Sequence, residues 1–254
     1  MAQAAERSHW YDQTGNPMYE VPRAKGDGMR PTTVRDARKL SLLPSVTTIM
    51  RIMAKPGLEL WKQQNLMLAA LTLTREPNEP DDAFIIRVMA DSREQGRTAA
   101  KKGTELHSVL ESAFKKGFYE AEYEPYVTGV QKALVDAYGN REWCAENSFA
   151  SELGYGGKVD LYCLGDDPIV VDFKTKESIA KAKPFAEQAI QLAAYAHGLG
   201  IPDARLVNVY VSVTEPGEVK VHTWDNGSYF QQFELMLALW SLQKSYQPAF
   251  GGGV

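Results

Sequence analysis

Cysteine is scarce: Cys144 and Cys163 are the only two in 254 residues. Two are too few for a disulfide framework, for a four-cysteine zinc site or for an iron-sulfur cluster, so both are expected as buried free thiols. Long apolar runs are also lacking, and nothing approaches the roughly 18 residues that a membrane-crossing helix needs. The opening MAQAAERSHW has neither the apolar core nor the cleavage site of a secretion signal. A cytoplasmic protein with no membrane partner is the expectation. There is no excess of positive charge: 28 Lys and Arg stand against 32 Asp and Glu, a net of -4. That argues against a passive nucleic-acid coat but leaves room for an enzyme with a local basic groove. GYGGKV at 154–159 lacks the spacing of a phosphate-binding loop, so no ATP use is expected. HExxH, paired CxxC, GxSxG, internal repeats and low-complexity segments are absent as well.

What is present centres on SELGYGGKVDLYCLGDDPIVVDFKTK, residues 151–176. Two short apolar strands, Lys158 to Leu164 and Ile169 to Lys174, flank the turn Gly165-Asp166-Asp167-Pro168. Side chains alternate along a strand, so Asp172 and Lys174 point one way and Phe173 the other. With Asp160 on the neighbouring strand and Glu152 upstream, this predicts a place for a hard divalent cation with a base beside it.

Elsewhere the pattern is read in order. HWYDQTGNPMYEVP, residues 9–22, predicts a hairpin turning at Thr14 to Pro17. Between Arg23 and Lys39 six basic residues face two acidic ones in a Gly/Pro-interrupted, irregular arm that includes Arg35 and Arg38. Ser45 is the expected N-cap of a short helix to about Ala54, followed by a helix from Leu58 to about Leu73. A longer helical stretch, Ala83 to Lys116, is expected to break or bend near Gly96 and Gly103. His107 lies on its apolar face with Leu110, Glu111 and Phe114; an inward histidine is more often a core residue than a ligand. Lys181 to Leu199 predicts a helix with Pro184 in its first turn, on which Gln191 and Tyr195 share a face. ARLVNVYVSVTEPGEVKVHTW predicts two strands, and residues 228–245 a closing helix. The whole is expected as an α/β (α+β) protein with a mixed sheet flanked by helices. Its expected divisions are a hairpin and basic arm over 1–42, a helical region over 43–100, a core over 101–246 and a tail over 247–254.

The ordered set of His107, Gly157 to Asp160, Asp172-Phe173-Lys174 and Gln191 to Tyr195 resembles the PD-(D/E)XK nuclease superfamily, in its RecB-like branch. LPSVTTIMRIMAKPGLELWK, residues 43–62, is similar to the entry segment of phage and prophage exonucleases and of the mitochondrial genome maintenance exonuclease. Val159 stands where the superfamily name has proline. The resemblance implies a restriction-endonuclease-like core and a metal-dependent DNA exonuclease acting on ends with single-strand preference, in phage-type recombination, replication or repair. It also implies Mg2+ or Mn2+ as one or two ions, and DNA together with a single-strand annealing or recombination protein as partners. Asp160 and Asp172 would be carboxylate ligands, the Phe173 backbone carbonyl a third and His107 a fourth. Lys174 would polarise the attacking water, Glu152 would serve a second ion or its water, and Gln191 and Tyr195 would touch the metal shell or the DNA backbone. Lys101, Lys102, Lys176, Lys181 and Lys183, with Arg35 and Arg38 of the arm, would contact phosphates. Trp10, Tyr11 and Trp61 are candidates for stacking on bases. A structure-selective endonuclease on the same fold and a non-catalytic DNA-binding recombination partner are the alternatives.

Overall fold

The computed structural model describes residues 8–54, 56–180, 182–225 and 227–248; Lys181, Asn226 and the tail past Pro248 lie outside the described residues. Two compact units divide the chain, one of Met1–Ile52 with Val109–Val254 and one of Met53–Ser108. The segment before Ile52 therefore belongs with the sheet.

In the first unit the sheet holds β5 (Cys144–Ser151), β6 (Tyr155–Cys163), β7 (Ile169–Lys176), β8 (Arg205–Ser212) and β9 (Val219–Thr223), adjacent in that order. Every neighbouring pair is antiparallel except β7 and β8, which are parallel. A parallel pair needs a crossover, and helix α6 (Ala186–Gly198) supplies it. Ala189, Ala193, Ala194 and Ala196 of α6 are buried with Ile190 and Leu192; their small side chains let the helix lie close against β6, β7 and β8. Helix α7 (Tyr229–Lys244) covers α6, and the short α2 (Val46–Met50) contacts both. Helix α5 (Glu124–Tyr138) contacts β8 and β9. The result is a mixed sheet flanked by helices, as the alternation of strand-like and helix-like segments predicts.

Helix α6 starts later than expected. Phe185 is extended at the N-cap, and the Gln188 side chain accepts the Phe185 N–H at 3.1 Å, which leaves Pro184 before the helix. Ser45 does cap α2, accepting Thr48 N–H at 3.0 Å.

In the N-terminal segment the predicted hairpin turn forms, with Tyr11 bridged antiparallel to Pro17, Met18 N–H donating to the Trp10 carbonyl at 2.7 Å and Asp12 N–H to the Asn16 carbonyl at 2.9 Å, and further pairings are added to it. The Asp12 side chain closes the turn by accepting from Thr14 and Asn16 N–H, both at 2.9 Å; the strand before it, β1 (Trp10–Tyr11), pairs with β4 (Leu43–Pro44), and β2 (Glu20–Pro22) pairs with β3 (Met29–Pro31). The basic arm is also more ordered than its glycines suggest. Thr33 and Asp36 form a reciprocal capping box at the start of α1 (Val34–Leu40), and Arg30 grips Asp36 with two contacts of 2.6 and 2.7 Å. That ion pair holds the Asp36 carboxyl well below its usual range. Trp10 and Tyr11, expected as stacking platforms, are buried in the core, Trp10 edge-on to Trp240.

The second unit holds α3 (Pro56–Thr72) and most of α4 (Asp81–Lys116). Helix α4 is unbroken through Gly96 and Gly103, where a break or bend was expected. An interior glycine costs about 1 kcal/mol, too little to interrupt a helix of 36 residues. Gly96 has a packing reason: a Cβ there would stand 3.3 Å from the Trp61 ring.

Candidate active site

Strands β6 and β7 pair at Cys163↔Ile169, Tyr162↔Val170 and Leu161↔Val171, where their registered pairing ends. Asp160 and Asp172 are the next residues on each strand. At that point Asp160 Oδ2 accepts the Phe173 backbone N–H at 2.8 Å, so a carboxylate holds the strand edge where the ladder stops. On the other edge of β6 the register skips Glu146, whose φ is +57°. An acidic residue in the left-handed region is uncommon, and it turns β5 aside directly opposite Asp160.

Asp172 is buried and takes three donors. Gln191 Nε2 donates to Oδ1 at 3.0 Å, and Oδ2 receives Asn208 Nδ2 at 2.8 Å and Lys174 Nζ at 2.7 Å. Lys174 also approaches Gln191 Oε1 at 3.3 Å, and Gln191 Nε2 lies 2.9 Å from the Tyr195 hydroxyl. The alternation of β7 thus puts Asp172 and Lys174 on one side, while Phe173 stacks on Phe114 from the other at 6.2 Å between centroids. The i, i+4 spacing on α6 brings Gln191 and Tyr195 together.

Charge is concentrated here. Burial first, then the Asp172 carboxylate, push the Asp160 carboxyl up to about 8. Two acids this near each other disfavour double ionisation, whereas a cation between them would favour it. Burial and the charges of Asp172 and Asp160 also raise the Tyr195 hydroxyl far above its usual range, so Tyr195 stays a neutral donor or acceptor.

A second cluster adjoins the first. Lys158 Nζ bridges Glu111 Oε2 at 3.1 Å and Glu146 Oε1 at 2.5 Å, and Lys115 reaches Glu146 Oε2 at 3.0 Å. Burial and the hydrogen bond to Glu146 raise Glu111 to about 7, while that bond, Lys158 and Lys115 lower Glu146 to about 2. The proton of the Glu111–Glu146 pair therefore rests on Glu111. Asp160 feels the charge of Glu111, which links the clusters electrostatically.

Not every predicted residue arrives. Glu152 sits exposed in the turn between β5 and β6, five residues of strand from Asp160 measured from Tyr155, or roughly 17 Å. It has no part in this constellation. His107, Lys101 and Lys102 fall in the second unit, Met53–Ser108, and the contacts described above are those within the first. Arg35 is exposed on α1, and the Arg38 guanidinium is engaged by the Lys244 carbonyl. Lys176 ends β7 half-buried. Conversely, Asn208 and Trp224 were not predicted. Asn208 is fully buried opposite Asp172 in the parallel register, and its Oδ1 accepts Trp224 Nε1 at 2.8 Å. The signal was a lone asparagine inside the apolar run LVNVYVSV, since a buried amide needs partners.

Among the described residues no group of three or more His, Cys, Asp or Glu side chains is gathered as a metal centre. A cation held by two carboxylates and a backbone carbonyl needs no such group. Asp160 and Asp172, at the mouth of the strand fork and with the Asp160 proton affinity raised, fit one.

No helix among the described residues is long and apolar enough to cross a membrane. No protein-family model matches the chain, and no curated protein matches it. Among solved structures it is similar to one described as "Crystal structure of SSO0001", with 17% identity, 78% of this chain and 91% of that chain covered, and a TM-score of 0.35. Overlap at that level carries no argument about function.

Proposed function

We propose that the chain is a divalent-metal-dependent deoxyribonuclease of restriction-endonuclease-like architecture that hydrolyses phosphodiester bonds at DNA ends with single-strand preference, in phage-type recombination, replication or repair. The observation that carries this reading is the strand fork, with Asp160 on the Phe173 amide and Lys174 2.7 Å from Asp172. A Mg2+ or Mn2+ ion held by Asp160, Asp172 and the Phe173 carbonyl would offset charge on the phosphate and make water acidic enough to attack near neutral pH.

The remaining steps fall to side chains. Lys174, freed from one of its two present contacts, orients the attacking water and donates to the phosphate oxygen as charge builds there. Gln191 keeps Asp172 and Lys174 in register by donating to the first and accepting from the second. Asn208, backed by Trp224, fixes the rotamer of Asp172. The buried Tyr195 hydroxyl, neutral across the working range, accepts from Gln191 Nε2 and so steadies the amide that holds Asp172 and Lys174.

Incubation with either ion and with linear or covalently closed single-stranded DNA tests the reading. Loss of the linear substrate alone is expected. Loss of both would mean an endonuclease, and loss of neither a DNA-binding partner without activity.

A further inference from the structure

A cavity of about 450 Å³, within the ~300–1,000 Å³ range of small-ligand pockets, is lined by Ser8, His9, Pro17, Tyr19, Glu20 and Pro31. None of these residues belongs to the carboxylate site. The His9 and Tyr19 rings are stacked, 4.5 Å between centroids and 28° between planes. Their backbones are pinned, Thr48 Oγ1 accepting the His9 backbone N–H at 3.0 Å and Thr32 N–H donating to the Tyr19 carbonyl at 2.9 Å, and the Tyr19 and Tyr11 hydroxyls lie 2.8 Å apart. Tyr11 is buried against β6, where a Cβ on Gly156 would come within 2.9 Å of it. The stacked pair is thus a preformed aromatic platform fastened to the strand that carries Asp160.

The chemistry of the lining selects its ligand. Two prolines and two rings offer flat apolar walls, and the Glu20 carboxylate repels a phosphate but accepts the exocyclic amino N–H of a base such as cytosine. Partial burial and the Arg51 charge hold His9 below its usual range, so the ring is neutral at pH 7 and stacks without a charge to solvate. The platform is tied to the same strand as the other site: Tyr11 lies against Gly156 of β6, and the Tyr195 ring, which holds Gln191, lies 3.0 Å from where a Cβ on the next residue, Gly157, would stand. We infer that this cavity is a nucleobase subsite, seating one unpaired base of the strand whose phosphodiester lies at Asp160 and Asp172. The inference rests on the phosphodiesterase reading above, and a base held at a fixed step from the carboxylates would set which bond is cut.

The test uses single-stranded oligonucleotides carrying one 2-aminopurine, moved a position at a time along the strand, with the full chain in chelator so that nothing is cut. Stacking on the platform quenches the probe. Quenching is expected to peak at one position, to vanish there in Tyr19→Leu with binding about tenfold weaker, and to persist in Tyr19→Phe, which keeps the ring. Glu20→Gln, a near-isosteric change at an exposed position, is expected to lower the preference for oligo(dC) over oligo(dT) about fivefold. Quenching spread evenly over positions, or unchanged in Tyr19→Leu, would overturn the subsite, as would an unchanged base preference in Glu20→Gln. Position-specific quenching by a protein that cuts no DNA with Mg2+ or Mn2+ would sink the hydrolase reading and leave the base subsite standing; cutting with flat quenching would do the reverse.

Discussion

Asn208 Nδ2 sits 2.8 Å from Asp172 Oδ2 and 3.2 Å from the carbonyl oxygen of the same residue. One buried amide thus fixes both the side chain and the backbone of the acid at the strand fork, and Trp224 fixes the amide. Residues that orient a metal-binding carboxylate typically contribute 10–100-fold in affinity or activity. Asn208→Ala is therefore expected to lower cleavage about 10- to 100-fold and to raise the metal concentration for half-maximal activity. A metal titration checks it; a variant with unchanged metal dependence would mean that Asn208 only packs the core.

Asp160 ties stability to pH. Its folded-state pKa of about 8 lies above the ordinary 3.8, and Glu111 moves the same way, from 4.5 to about 7. The native state binds more protons than the unfolded chain between those values, so without divalent cations stability falls as pH rises from about 4 to about 8. Calorimetric scans are expected to show Tm falling across that window, with a shallower fall in Asp160→Asn. Added Mn2+ is expected to raise Tm more at pH 8 than at pH 5, because the ion requires the ionised carboxylate. An identical slope in Asp160→Asn would show that its proton affinity is ordinary.

Gly157 marks how closely the site is packed. A Cβ on it would stand 2.7 Å from the Phe149 ring and 3.0 Å from the Tyr195 ring. Gly157→Ala is expected to cost about 1–3 kcal/mol by overpacking and to reduce cleavage by moving Tyr195 off Gln191. Thermal unfolding and an activity assay on the same sample check this; a Tm within a degree of the parent would show that Phe149 yields freely.

Local rules made much of the site legible. Alternation along β7 put Asp172 and Lys174 together, and helical spacing put Gln191 beside Tyr195, because each pair lies within one element. Asn208 was out of reach, being 36 residues from Asp172 and joined to it only by the register of a parallel pair. Glu152 was grouped with the acids only by its nearness in sequence, whereas the turn that begins there, after β5 ends at Ser151, carries it away from them. The arm over 23–39 read as irregular because its glycines are conspicuous, whereas the Thr33–Asp36 capping box and the Arg30 pair that order it depend on three side chains meeting. The skip in β5 at Glu146, and with it the Glu111–Lys158–Glu146 cluster, has no local signature at all.

The central claim is that Asp160, Asp172 and Lys174 form a phosphodiesterase centre. Its most direct test measures cleavage of linear single-stranded DNA with Mn2+ or Mg2+ by the parent chain, Asp172→Asn and Lys174→Met, with DNA binding measured in parallel. The account predicts metal-dependent cleavage by the parent, stopped by chelator, and losses of at least about a thousandfold in both variants with binding retained. Cleavage undiminished in either variant, or none by the parent with either ion, would contradict it.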